Sequence, residues 1–220
     1  MEIRLRLMSN KLPFFHLVRK SNLKNGKSPL ILMIHGYGSN EQDLFSFSRA
    51  IPENFTIISL RGDIEFQYNE YAWYNIFWDY NGVKSYDIEK AKKSRDNILK
   101  SLDICKDLYE IDPDNITLMG FSQGAMLVNA VALTYPEKIN NIISLSGAFD
   151  PYIINLSNSK HLKKLSFYIS HGLNDEILPF DFSKKSLKIL DDNNLNYIFE
   201  EYPIGHTVSP DNFKSMLNWL

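Results

Sequence analysis

The sequence has a single cysteine, Cys105, among its 220 residues. An intramolecular disulfide is thereby excluded, and so is the class of small secreted scaffolds held together by such bonds. An excess of charge is missing as well, since 24 lysines and arginines face 26 aspartates and glutamates. Nucleic acid and anionic membranes require clustered basic residues, so we expect neither as a partner.

Long apolar runs are also missing. No segment approaches the roughly 20 apolar residues that a membrane-spanning helix needs, so we expect no integral membrane association. Residues 1–8 alternate between charged and apolar side chains, which predicts an edge strand rather than a signal peptide. Together with the lone cysteine, these patterns predict a cytoplasmic protein.

The length fits one domain, residues 1–220, with a core of ordinary size. Apolar runs typical of strands lie at residues 14–19, 29–34, 55–60, 116–119, 142–146, 165–170 and 197–202. Amphipathic or apolar helical patterns lie at residues 41–50, 86–110, 123–135, 182–192 and 209–220. This alternation predicts an α/β fold with a mostly parallel central sheet, helices on both faces and an antiparallel N-terminal hairpin. The connection between Ser146 and Leu165 is too short for a separate lid domain.

One connection, between Leu60 and Tyr86, is unusually long and shows no pattern of regular structure. Its aromatic residues are Phe66, Tyr68, Tyr71, Trp73, Tyr74, Phe77, Trp78 and Tyr80. Such a density of rings is wrong for disorder and predicts a packed segment. The rings either line a substrate groove or anchor a surface flap to the core.

The segment Gly120-Phe121-Ser122-Gln123-Gly124 places a serine between two glycines, where a strand should end and a helix begin. A sharp strand-to-helix turn needs a strained backbone and neighbours without Cβ atoms. This is the pattern of a nucleophile elbow, which exposes the serine hydroxyl above the sheet. We therefore take Ser122 as the candidate nucleophile.

A serine nucleophile needs a histidine base, and in enzymes with this kind of serine turn the base follows both the serine and the acid along the chain. His206 meets this requirement, because it follows the last predicted strand. His35 more readily shapes the turn after an early strand, and His171 lies too close in sequence to the candidate acid to pair with it easily. The remaining two, His16 and His161, are expected to be structural or solvated.

Three aspartates compete for the role of the acid that orients the base. Asp175 follows the strand at 165–170 and lies between Ser122 and His206 in chain order. Asp150 and Asp181 are the alternatives, of which Asp150 comes soon after the preceding strand. Parallel strands deliver functional residues just beyond their carboxyl ends, which favours Asp175.

Attack on a carbonyl also requires two donors for the oxyanion. The backbone N–H of Gln123 qualifies, because it directly follows the candidate nucleophile. A second donor should come from the loop after an earlier strand, and the glycine-rich turn that follows His35 predicts the N–H of Tyr37.

With these residues identified, the sequence resembles the phospholipase/carboxylesterase family of the α/β-hydrolase superfamily, which includes acyl-protein thioesterases and lysophospholipases. The motifs that carry the resemblance are Ile34-His35-Gly36-Tyr37-Gly38-Ser39-Asn40 with Asp43, Ala72-Trp73-Tyr74-Asn75, Gly120-Phe121-Ser122-Gln123-Gly124-Ala125, His171-Gly172 with Asp175 and Pro179, and Gly205-His206 with Ser209-Pro210. They are distributed over nearly the whole chain. Gln123 and the small residues after it are more specific to this family than the serine motif alone.

The resemblance implies an α/β-hydrolase fold with a triad of Ser122, Asp175 and His206, and with the amides of Tyr37 and Gln123 as oxyanion hole. It also implies a substrate groove bordered by Trp73, Tyr74 and Ile177. Neither a metal nor an organic cofactor is implied.

The expected activity is hydrolysis of a carboxylic ester or thioester through an acyl-enzyme intermediate, of the carboxylesterase, lysophospholipase or acyl-thioesterase type, with a small-molecule substrate. A serine peptidase or amidase on the same fold is the alternative, because the same triad cleaves amides. A non-catalytic protein of this fold usually lacks a triad member, and all three are present here. The sequence leaves the oligomeric state open, a homodimer included.

Overall fold

The computed structural model describes residues 12–80 and 84–220. Residues 1–8, predicted to form an edge strand, lie outside this range. The strands are β1 (His16–Arg19), β2 (Ser28–Ile34), β3 (Thr56–Leu60), β4 (Ile64–Gln67), β5 (Glu70–Ala72), β6 (Ile76–Trp78), β7 (Lys84–Tyr86), β8 (Ile111–Phe121), β9 (Asn141–Leu145), β10 (Ser166–Gly172) and β11 (Asn196–Tyr202). The helices are α1 (Gln42–Phe45), α2 (Ile88–Leu108), α3 (Gln123–Thr134), α4 (Phe180–Ser186), α5 (Lys188–Asp192) and α6 (Pro210–Trp219).

A mixed central sheet runs through the described part of the chain, in the spatial order β1-β3-β2-β8-β9-β10-β11. All neighbours in it are parallel except β1 and β3. The predicted mostly parallel sheet with an antiparallel N-terminal strand is confirmed. However, β1 pairs with β3 and not with β2, its successor in the sequence. The antiparallel pairing predicted at the N-terminus is thus present, between β1 and β3.

The strand β2 shows how the two faces of the sheet are covered. Its seven residues are all buried, as is typical of a central parallel strand. Leu30 and Leu32 pack into a core with residues of α2 and α3, whereas Ile31 and Met33 pack with residues of α1 and α6. Side chains alternate between the faces with a period of two, so helices on both sides are needed to bury them. The predicted two-sided covering is confirmed.

The long aromatic connection contains regular structure, and the expectation of none was wrong. It forms two small antiparallel hairpins, β4 with β5 and β6 with β7. The strands are only three or four residues long, too short for a clear period-two pattern. Some of its rings are exposed, Tyr68 at 97% and Trp78 at 60%, whereas Trp73 and Tyr74 between the hairpins are buried.

The connection between β9 and β10 forms no separate lid domain, as its length predicted. Within it lies a single short 3₁₀ helix, Lys160–Lys164. The helix predicted at 182–192 is instead divided into α4 and α5 at Leu187. Helix α6 begins as its sequence indicates, with Ser209 accepting a hydrogen bond from the backbone N–H of Asn212 and with Pro210 in the first turn.

A cluster of hydroxyl groups surrounds Glu200 of β11 and joins the last two strands to α6. The carboxylate accepts hydrogen bonds from the hydroxyls of Tyr168 (2.6 Å), Ser215 (2.7 Å) and Tyr202. Burial by itself would raise the pKa of Glu200, but the three hydrogen bonds together lower it below the ordinary value. The ionised form is therefore the form that the fold stabilises.

Replacing Glu200 by glutamine is expected to lower stability near neutral pH by about 1 kcal/mol, or about 3 °C in Tm. A carboxyl whose pKa is lowered in the folded state stabilises above its unfolded pKa of about 4.3, and that contribution is lost as the pH falls through the folded pKa. The difference in Tm between the two proteins should therefore shrink below about pH 4. Thermal unfolding followed by circular dichroism over a pH series measures it.

The matched control is the neighbouring Glu201→Gln, which removes an exposed ion pair with Lys184 and should change Tm little. A difference for Glu200→Gln that stays constant down to acid pH would contradict the assignment.

Candidate active site

Ser122 lies at the turn between β8 and α3, with backbone angles φ 53° and ψ −117°. A positive φ is strained for a residue with a Cβ, and the surrounding backbone holds it in place. The N–H of Ser122 donates to the carbonyl of Leu145 at 2.9 Å, and the Ser122 carbonyl accepts from Met126. Ser122 is partly exposed at this strained strand-to-helix turn, which fits the nucleophile-elbow pattern.

The structure brings the three predicted triad residues together. The Ser122 hydroxyl oxygen lies 2.8 Å from Nε2 of His206, and Nδ1 of His206 lies 2.6 Å from Oδ2 of Asp175. His206 stands in the loop between β11 and α6, and the ring of Phe121 packs against its imidazole at a centroid distance of 5.0 Å. In this arrangement the imidazole can take the proton of the serine hydroxyl while the carboxylate holds the imidazole in place.

Asp175 is buried and receives its hydrogen bonds from a tight turn. Its Oδ1 accepts from the backbone N–H groups of Ile177 at 2.9 Å and Leu178 at 2.8 Å. These two donors leave Oδ2 directed at His206. The carboxylate is thus held in one orientation by the second and third residues after it in the chain.

The competing acid Asp150 is engaged elsewhere. Its Oδ2 accepts from the hydroxyl of Tyr86, and its Oδ1 accepts from the backbone N–H of Tyr152 at 2.9 Å. Burial, and then the hydrogen bond to Asp150, raise the pKa of Tyr86 well above its ordinary value. The other competitor, Asp181, lies in the first turn of α4 and is exposed.

Three of the other histidines have structural surroundings, as predicted. His35 is buried, its Nε2 accepts from the N–H of Gly62 at 3.0 Å, and burial lowers its pKa to about 4. His16 contacts the hydroxyl of Tyr109, and His161 the hydroxyl of Ser159.

The expectation for His171 was wrong. Its Nε2 lies 3.2 Å from Oδ2 of Asp175, the same oxygen that faces His206. Four residues of separation do not prevent the contact, because the chain turns sharply after β10: the N–H of Asp175 approaches the carbonyl of Gly172 at 3.3 Å. The turn folds the carboxylate back over the end of its own strand.

The predicted oxyanion loop lies directly beside the nucleophile. Gly36 packs so closely that a Cβ built on it would be 3.4 Å from the Cβ of Ser122. Next to it, the ring of Tyr37 stacks on Phe66 of the β4–β5 hairpin at 4.8 Å. Gln123 begins α3, so its N–H belongs to the first turn, whose amides have no partner within the helix. The use of the Tyr37 and Gln123 amides as donors stays a prediction.

The side chain of Gln123 has a function that the reasoning from single residues missed. Its amide oxygen accepts from the backbone N–H of Trp73 at 2.9 Å, and its amide nitrogen donates to the carbonyl of Tyr74 at 2.8 Å. Both groups of the buried amide are therefore satisfied, and the aromatic segment is tied to the elbow. The only signal for this in the sequence was the specificity of glutamine at this position in the resembling family.

The predicted groove residues differ in exposure. Trp73 is fully buried: its indole donates to the carbonyl of His35 at 2.9 Å and its ring packs edge-on against Phe14. Tyr74 is also buried, whereas Ile177 is 60% exposed beside the turn that holds Asp175. Contact of these residues with substrate stays a prediction, for which Ile177 has the accessible side chain.

Over residues 12–80 and 84–220, no group of three or more histidine, cysteine, aspartate or glutamate side chains is arranged to hold a metal ion. Within the same residues, no helix has both the length and the apolar character needed to cross a membrane.

Two acyl-protein thioesterases are similar to this chain in sequence. The acyl-protein thioesterase 1 of Aspergillus fumigatus is 31% identical over 151 residues, which is 61% of this chain and 61% of that protein. The acyl-protein thioesterase 1 of Emericella nidulans is 26% identical over 217 residues, 86% of this chain and 88% of that protein. The chain thus spans less than two thirds of the first relative and most of the second.

A solved carboxylesterase from Bacillus cereus superposes with a TM-score of 0.81 at 21% identity, covering 96% of this chain and 94% of that one. At this identity, the likeness shows a common α/β-hydrolase fold. The model of one family, described as phospholipase/carboxylesterase, matches residues 20–220. Because that match extends over nearly all of the sequence, the chain belongs to the phospholipase/carboxylesterase family.

Proposed function

We propose that the protein is a serine hydrolase that cleaves carboxylic esters or thioesters through an acyl-enzyme intermediate. The observation that carries the proposal is the continuous chain from Ser122 through His206 to Asp175, with contacts of 2.8 and 2.6 Å. Membership in the phospholipase/carboxylesterase family supports the same reaction.

In the first half-reaction, Nε2 of His206 takes the proton of the Ser122 hydroxyl while the oxygen attacks the carbonyl carbon of the substrate. Asp175 stabilises the imidazolium that forms. The tetrahedral intermediate collapses, and His206 gives the proton to the leaving alcohol or thiol. In the second half-reaction, His206 removes a proton from water, which attacks the acyl carbon. The bond from that carbon to the Ser122 oxygen then breaks, His206 returns the proton to this oxygen, and the carboxylic acid is released.

The amides of Tyr37 and Gln123 are proposed to bind the oxyanion of both tetrahedral intermediates. Support comes from the position of Gln123 in the first turn of α3 and from the packing of Gly36 against Ser122. Removing one such donor typically costs about 100- to 1000-fold in kcat. Backbone donors of this kind are fixed by the fold, so they need no reorganisation during the reaction.

The names of relatives support esters and thioesters over amides. Two relatives are named acyl-protein thioesterases, and a structural neighbour is named a carboxylesterase. An alcohol or thiol leaves more readily than an amine, so an ester or thioester is the easier substrate for this triad. The buried lone Cys105 supports a cytoplasmic location, since it requires no disulfide.

The test compares matched substrates that carry one acyl group on oxygen, sulfur or nitrogen, with p-nitrophenyl esters from about two to about sixteen carbons and a lysophospholipid alongside. We expect kcat/KM for the ester and thioester to exceed that for the amide by at least about 100-fold. The optimum in chain length separates a small-ester carboxylesterase from an enzyme of long acyl chains. Amide hydrolysis as fast as ester hydrolysis would favour a peptidase or amidase instead.

A further inference from the structure

His171 is a buried histidine at the end of β10 that the triad mechanism does not use. Its Nε2 lies 2.8 Å from the carbonyl oxygen of Leu178 and 3.2 Å from Oδ2 of Asp175. A carbonyl oxygen can only accept a hydrogen bond. Nε2 must therefore carry a proton, and its N–H is shared between the Leu178 carbonyl and the Asp175 carboxylate.

The other ring nitrogen, Nδ1, is buried and has no hydrogen-bond partner. A proton on it would leave a buried donor unpaired, which is costly. Burial lowers the pKa of His171, and this effect outweighs the opposing ones of Leu178 and Asp175. The ring is thus a neutral donor with a single tautomer, and its packing against Phe180 holds it in place.

The contacts close a ring of interactions around the carboxylate. The N–H of Leu178 donates to Oδ1 of Asp175, and the carbonyl of the same residue accepts from His171. Asp175 consequently faces four donors: two amides on Oδ1, and two imidazoles, His171 and His206, on Oδ2.

We propose that His171 is a positioning residue whose Nε2–H restrains Asp175 and withdraws part of the carboxylate charge from His206, an inference that rests on the proposed triad. A carboxylate relieved of one donor interacts more strongly with its remaining partner. Without His171, His206 should keep its proton to higher pH and so act as a base only at higher pH. The freed carboxylate should also orient the imidazole less well.

The other charged groups of this region are exposed or paired. Glu176 and Asp181 are exposed, and Glu201, in register with His171 on β11, pairs with Lys184 at 2.8 Å. They are unchanged in the variants used for the test. A change in the pH profile on substituting His171 can therefore be assigned to the contact with Asp175.

The test compares His171→Gln, which keeps an N–H donor, with His171→Met, which has a similar length and no donor. For His171→Met we expect the acid limb of the kcat/KM profile to move up by about 0.5 to 1 pH unit. The plateau should fall about tenfold, mainly in kcat. His171→Gln should stay within about twofold of the parent. His171→Phe retains a ring beside Phe180 and supplies the donor-free case if His171→Met does not fold.

A control variant, His161→Met, removes a histidine of the 3₁₀ helix Lys160–Lys164. It should leave the acid limb of the kcat/KM profile unchanged. A parent-like limb and plateau in the donor-free variants would overturn the proposal, and so would a loss in His171→Gln as large as in His171→Met. A second readout needs no substrate: the low-field NMR resonance of the His206 Nδ1 proton, followed with pH, should shift its transition in the same direction. If the parent hydrolyses no ester, the proposed function fails while this titration still decides the role of His171.

Discussion

Replacing Ser122 by alanine is expected to lower kcat for a p-nitrophenyl ester by about 10⁵- to 10⁶-fold and to abolish labelling by a fluorophosphonate probe. In the proposed mechanism the Ser122 hydroxyl forms the acyl-enzyme, and alanine has no group that can replace it. The oxyanion donors and the binding surface would remain, so a small residual rate above that in water is expected.

The fold should tolerate this change. Among residues 12–80 and 84–220, the hydrogen-bond partner of the Ser122 hydroxyl is His206, and alanine has much the same backbone restrictions as serine at the strained turn. Circular dichroism and Tm of the variant should match those of the parent. The control is Ser159→Ala, a serine on the connection between β9 and β10 that contacts His161. Full labelling of the Ser122→Ala protein would identify another nucleophile and refute the triad.

Replacing Gly124 by alanine is expected to abolish folding rather than catalysis alone. A Cβ at this position would lie 2.0 Å from the carbonyl oxygen of Ile34 and 2.6 Å from that of His35. Both atoms belong to the backbone at the end of β2, in the centre of the sheet. Neither can move without breaking the contact between α3 and the sheet, so a cost above about 4 kcal/mol is expected.

Expression in soluble form and a cooperative thermal transition measure this outcome. The matched control is Gly205→Ala, where the nearest atom to an added Cβ is the carbonyl oxygen of Asn174 at 3.7 Å. That variant should fold, whatever its effect on the neighbouring His206. A Gly124→Ala protein with a Tm near that of the parent would show that α3 can shift, and would weaken the structural account of the elbow.

The glycines at the elbow and the order of the triad residues can both be read from the sequence, for different reasons. The glycines around Ser122 indicate a sharp turn, because residues without a Cβ are favoured where the backbone turns tightly. The order of Ser122, Asp175 and His206 after successive strands then predicts their meeting, since parallel strands present their carboxyl ends at one edge. The contacts of 2.6 and 2.8 Å fit that expectation.

Other features were not predictable in this way. The hairpins in the aromatic segment have strands too short to show periodicity, and the pairing of β1 with β3 depends on a neighbour some forty residues away along the chain. The contact of His171 with Asp175 depends on how tightly the chain turns after β10, which residue types alone do not reveal. The two hydrogen bonds of the Gln123 side chain join groups about fifty residues apart.

The sequence by itself predicted the α/β alternation, the elbow at Ser122 and the two partners of that serine. Periodicity and backbone strain are local properties, and the order of residues along the chain is read directly from the sequence. Only the tertiary structure decided that Asp175 contacts both His206 and His171. It also decided that Asp150 accepts a hydrogen bond from Tyr86 and that the ring of Trp73 lies in the core. Those outcomes depend on which side chains packing brings within hydrogen-bond distance, and packing is a property of the whole chain.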